Sequence, residues 1–119
     1  MVLDCGDGIV KQLATLFDEV KLQEVLASLK CIYISHTHAD HHAGVIGLLL
    51  AIKEAWKLLH KPPTKIMLIV PPPLVDWCEE YHNNIEPAFE HVTLINMSIL
   101  VRAFIDWYCF LILWNSSDF

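Results

Sequence analysis

The sequence predicts an α/β fold, because short β-branched or aromatic runs alternate with helical periodicity along a 119-residue chain. Cys31-Ile32-Tyr33-Ile34, Ile66-Met67-Leu68-Ile69-Val70 and His91-Val92-Thr93-Leu94-Ile95 have the length and composition of buried strands. Val2 to Cys5 reads as the end of an earlier strand, closed by the turn Cys5-Gly6-Asp7-Gly8. A chain of this size holds one core and leaves little room for a second helical layer on the far side of a sheet.

Each intervening segment has its own helical signal. Ile9, Leu13, Leu16 and Phe17 recur at helical spacing, and Val20, Leu22, Val25, Leu26 and Leu29 follow as a second such set. Val45 to Leu59 is rich in helix formers and stops at Lys61-Pro62-Pro63, since proline cannot continue a helix. Pro71-Pro72-Pro73 predicts an extended turn, with a short helix over Leu74 to His82. No internal repeat is present.

Composition narrows the class. Apolar residues make up 55% and charged residues 18%, a balance opposite to that of disordered chains. The net charge of −6 counts against unaided gripping of a phosphate backbone, which calls for a basic face. Cys5, Cys31, Cys78 and Cys109 are widely spaced and form neither a disulfide framework nor a zinc knuckle, so free thiols, buried in a reducing compartment, are expected. The start lacks a signal-peptide pattern. Ile99 to Trp114 is apolar, but Arg102 and Asp106 interrupt it, which disfavours a membrane anchor.

The chemistry is concentrated in His36-Thr37-His38-Ala39-Asp40-His41-His42, directly after a buried strand. A strand end is a rigid place to hold ligands, and side chains two apart can converge on one ion. His36 and His38 are therefore candidates for one metal, and Asp40 and His41 for a second beside it. Nitrogen and carboxylate donors suit zinc, with manganese or iron as alternatives. Two ions about 3.5–4 Å apart would clamp an in-line displacement at phosphorus and acidify a bridging water.

A lone histidine is usually structural, but an H-x-H-x-D-H string after an apolar strand is hard to explain that way. His42 has no clear slot in the pattern, and ligation, helix capping and an orienting role all stay open. His60, His82 and His91 are scattered singly and are expected to be structural or solvated. Asp4 and Asp7 are turn residues by default, though Asp4, ending a strand, is placed to reach the metal loop as an acceptor.

The H-x-H-x-D-H string resembles the metallo-β-lactamase superfamily. Leu3-Asp4-Cys5-Gly6-Asp7-Gly8 is similar to the "LDCGEG" element of the ribonuclease Z family, and Ser35 to Gly44 to its "SHxHADHHxG" signature. Trp77, Tyr81-His82-Asn83 and the stretch to Ile95 look like the carboxy-terminal half of the family's long form. The resemblance runs from Met1 to about Asn96. It implies a partial metallo-β-lactamase-like αβ/βα sandwich over residues 1–96, followed by an unassigned hydrophobic tail over 97–119.

By that resemblance the function is zinc-dependent removal of the 3′ trailer from precursor tRNA. His36 and His38 would hold one zinc, Asp40 and His41 the other, and Asp40 would also accept the proton of the attacking water. A homodimer, and a nuclear or mitochondrial location, are the family's implications for assembly and place. The sequence departs from the family after Asn96, where no "SGD"-like aspartate or later histidine follows. Each zinc is then left with two protein ligands, where a catalytic site has three. The expectation is a truncated chain that is inactive alone. Another hydrolase of the superfamily, or a non-catalytic module that binds a partner, are the competing readings.

Overall fold

The structure, a computed structural model, describes residues 1–115, with side chains described to Trp107. Its elements run β1 (Val2–Leu3), α1 (Ile9–Leu16), α2 (Glu19–Ser28), β2 (Cys31–Tyr33), α3 (Ala39–His42), α4 (Val45–Leu58), β3 (Ile66–Val70), α5 (Pro72–Asn84), β4 (Val92–Asn96) and α6 (Met97–Asn115). The strands form one parallel sheet in the order β1-β2-β3-β4. Parallel neighbours need a crossover, and right-handed crossovers taken in sequential order keep returning to the same face.

That face carries the core. Ile32, Ile66, Leu68 and Val70 join Leu26 and Ala27 of α2, Leu48, Leu49, Ile52 and Ala55 of α4, and Leu74 and Cys78 of α5 in one buried cluster. Strand alternation sends the other residues to the opposite side. The register aligns Leu3, Tyr33, Ile69 and Ile95 across all four strands, with Cys31, Met67 and Thr93 beside them. This second face is less covered: Leu3 is 66% exposed and Met67 44%.

Most sequence-level elements are present, with instructive differences. The triple proline is not wholly extended. Only Pro71 is, and Pro72 and Pro73 open α5, where their missing amide protons are not needed. The histidine segment is not all loop, because Ala39–His42 closes one helical turn. β1 stops at Leu3, because Asp4 turns left-handed at φ 56°. Asp18 caps α2, its carboxylate accepting the Lys21 amide at 2.9 Å.

Cys5 and Cys78 are buried free thiols, pushed up to about 12 by burial, and Cys31 is partly exposed. The Cys109 side chain lies outside the described residues, as does that of Trp114 in the apolar tail. Through its first 19 residues the tail is α6, which starts directly after β4. Among the described residues no helix is long and apolar enough to cross a membrane.

Candidate metal centre

Two strand ends build the centre. Because β1 and β2 run parallel with Leu3 opposite Tyr33, Asp4 and Ser35 emerge together at the carboxyl edge of the sheet. The Asp4 amide donates to the Tyr33 carbonyl at 2.8 Å, and the Ile34 amide to the Ile69 carbonyl at 2.9 Å. Strand pairing therefore holds both anchors of the histidine segment. Carboxyl ends of parallel strands are where α/β sheets place their ligands.

Asp4 is the hub. Its Oδ1 accepts the Ser35 amide at 2.7 Å, and its Oδ2 accepts the Ser35 hydroxyl at 2.8 Å and lies 2.9 Å from His41 Nδ1. The left-handed backbone that aims this carboxylate suits aspartate better than most residues. The Ser35 amide above all, then the His41 ring, holds the Asp4 carboxyl down at about 2, so it is ionised at neutral pH.

These contacts assign the imidazole protons. A carboxylate only accepts, so His41 Nδ1 carries a proton, and in the neutral ring the lone pair is then on Nε2. Ser35 spends its one proton on Asp4, so the 2.8 Å contact from His36 Nδ1 to Ser35 Oγ is donated by His36. In the neutral ring the lone pair of His36 is likewise on Nε2. Metal-binding histidines are commonly oriented this way, through the nitrogen that does not ligate.

These Nε2 atoms lie beside the other candidate donors. His36 Nε2 is 3.1 Å from His38 Nδ1, and His41 Nε2 is 3.6 Å from Asp40 Oδ2. Tetrahedral zinc with bonds of about 2.0–2.1 Å spaces two donors about 3.3–3.4 Å apart, so each pair fits around one ion. The His36 and His41 rings stand 3.9 Å apart between centroids, which brings the two pairs side by side. Asp40 is 81% exposed and so open to water. Asp4, His36 and His41 make another trio, with ligand atoms within 4.8 Å. Because Asp4 already accepts three hydrogen bonds, its geometry is that of an orienting acceptor.

The remaining histidines separate from this group. His42 Nδ1 donates to the His38 carbonyl at 3.0 Å, and its ring meets Trp77 edge-on. His60 lies just beyond α4 in the left-handed region at φ 51°, His82 Nδ1 accepts the Phe89 amide, and His91 packs on Trp56. Sequence reasoning missed the hold of Asp4 on Ser35. Its one visible signal is an acidic residue ending a strand beside a histidine-rich strand end.

No protein-family model matches the chain. It is 36% identical over 103 residues to mouse zinc phosphodiesterase ELAC protein 2, a match covering 87% of this chain and 12% of that protein. It is 37% identical over 103 residues to the mitochondrial ribonuclease Z of Drosophila melanogaster, covering 87% of this chain and 13% of that protein. The chain belongs to the ribonuclease Z family. Among solved structures, a long-form ribonuclease Z from yeast superposes with a TM-score of 0.68 at 24% identity, over 79% of this chain and 12% of that one. That likeness shows the fold, a part of the metallo-β-lactamase sandwich. The ribonuclease Z relatives are much longer: the chain spans 12% and 13% of the two named here.

Proposed function

We propose that this chain supplies part of the two-zinc centre of a tRNA 3′-processing endoribonuclease. His36 and His38 are the donors to one ion, and Asp40 and His41 to the other. The observation that carries this is the pairing of donor atoms, 3.1 Å and 3.6 Å apart, with the His36 and His41 rings anchored through their opposite nitrogens. When bound, zinc lowers the pKa of water toward neutrality and stabilises charge on phosphoryl oxygens. The protein's own part is to fix the rings through Asp4 and Ser35 and to offer the exposed Asp40 carboxylate as proton acceptor.

Family membership makes the 3′ trailer of precursor tRNA the substrate of choice over the lactams and thioesters taken by other hydrolases of this fold. A nuclear or mitochondrial compartment goes with that substrate. With two donors per ion in place of three, this chain alone is inactive. The net charge of −6 supports the same view, because it counts against unaided gripping of an RNA backbone.

The test mixes the purified chain with zinc and with a ribonuclease Z segment that supplies further ligands. Trailer release from precursor tRNA is expected only in the mixture, and Asp40→Ala should abolish it. Release by the 119-residue chain alone, or release that survives Asp40→Ala, would overturn the assignment.

A further inference from the structure

The histidine segment is pinned by more than its side chains. The backbone of Cys5 and Gly6 passes directly between Asp40 and Gly44. The Cys5 amide donates to the His41 carbonyl at 2.6 Å, and the Gly44 amide donates to the Cys5 carbonyl at 2.9 Å. The Ile9 amide reaches the Gly6 carbonyl at 3.3 Å and ties the same stretch to α1. The Cys5 side chain is fully buried, which anchors the passing segment in the core.

This crossing has no room for side chains. A Cβ on Gly6 would collide with the Asp40 carbonyl oxygen and stand 3.1 Å from its carbon. On Gly44 it would collide with the Gly6 carbonyl oxygen, 2.8 Å from Gly6 C and 3.0 Å from Cys5 O. Every obstacle is backbone, so no rotamer change relieves it. Gly47, one turn further on in α4, has nothing within 4 Å of a built Cβ.

We infer that Gly6 and Gly44 are positioning residues that let two backbones interlock and so set where Asp40 and His41 stand before any metal arrives. The inference rests on the metal assignment above. An added methyl has to push the 38–44 segment off the sheet edge, carrying Asp40 and His41 with it. The central core around Leu68 is untouched by that shift. Displacing a donor by an ångström is enough to spoil a metal site, because the ion fixes distance and angle closely.

The experiment measures zinc affinity by competition with a chromogenic chelator. It compares the wild-type chain with Gly6→Ala, Gly44→Ala and Gly47→Ala, and records a thermal midpoint for each. Losing the supporting shell of a metal site costs about 10–100-fold in affinity, and that range is expected for Gly6→Ala and Gly44→Ala. Gly47→Ala should bind as wild type does. Ile52→Val, in the core, controls for stability. If it loses as much affinity at a matched midpoint, the effect is general loosening and the positioning role falls. Wild-type affinity in folded Gly6→Ala and Gly44→Ala would also overturn it.

Amide hydrogen exchange on the zinc-free wild-type chain tests the interlock even where an alanine variant does not fold. The Cys5 and Gly44 amides should exchange slowly, and exchange at open-chain rates would overturn the clamp alone. Slow exchange in a wild-type chain that binds no zinc either alone or mixed with the complementing ribonuclease Z segment would instead remove the metal assignment, and the positioning role with it.

Discussion

The two faces of the sheet are equally apolar in sequence and unequally covered in structure. On one, Ile32 and Leu68 are fully buried beneath helices. On the other, Leu3, Tyr33, Ile69 and Ile95 line up beside Met67, with Leu3 66% and Met67 44% exposed, and the Tyr33 hydroxyl meets Met97 at the start of α6 at 3.7 Å. Parallel strands carry continuous hydrophobic runs when both faces are to be buried, and Ile66-Met67-Leu68-Ile69-Val70 is such a run. In a four-layer αβ/βα order one face of each sheet meets helices and the other meets the second sheet. The covered face is thus what this chain completes by itself, and the open face is what the rest of the fold would complete. The proposed metal centre lies at the carboxyl edge of this same sheet, where Asp4 and Ser35 orient the His41 and His36 rings.

The largest effect should separate the faces directly. Leu68→Ala empties a fully buried site and is expected to cost about 2–5 kcal/mol, read as a fall in the denaturant midpoint. Met67→Ala, its chain neighbour on the open face, should cost less than about 1 kcal/mol. Equal losses would break the comparison. Trp56→Phe comes next. Trp56 Nε1 donates to the Ala27 carbonyl at 3.2 Å, tying α4 to α2 within the covered core. Leaving that carbonyl unpaired should cost about 1–3 kcal/mol, and a neutral result would show that water reaches it.

The sequence made the covered face legible because its signals are local. Cys31-Ile32-Tyr33 and Ile66 to Val70 are β-branched or apolar runs of strand length, and Val45 to Leu58 has helical composition. His36, His38, Asp40 and His41 were legible as a spaced string, and the structure brings them into two adjacent pairs. The interlock of Gly6 with Gly44 was not legible, because close approach of two backbones leaves no trace in periodicity or propensity. The left-handed Asp4 was half legible: its place at a strand end showed, its three hydrogen bonds did not. Proline at the start of α5 misled because a run of prolines looks like a stop, whereas the first turn of a helix tolerates it.

Asp4 gives the next prediction, on the edge between the faces. Its folded pKa of about 2 lies below the unfolded value near 3.8. The carboxylate therefore adds stability that is fully present above the unfolded value and is lost as pH falls through the folded one. In the zinc-free chain, stability should decline between about pH 5 and pH 2, and Asp4→Asn should flatten that part of the profile. Asparagine tolerates the left-handed backbone, so the change isolates charge from conformation. An unchanged acid limb in Asp4→Asn would mean that other carboxylates govern it.

The smallest expected effect probes the open face itself. Leu3 is 66% exposed at the edge strand β1, so its side chain already contacts water in the chain alone. Leu3→Thr introduces a β-branched residue of good strand propensity and removes apolar surface. Stability should shift by no more than about 0.5 kcal/mol, as for surface substitutions generally. Binding of a dye that reports exposed apolar surface should fall, and fall further when Met67→Thr is added, since Met67 lies on the same face two strands away. A loss above about 1 kcal/mol for Leu3→Thr would show that this face is already packed in the isolated chain, and the asymmetry between the faces would then disappear.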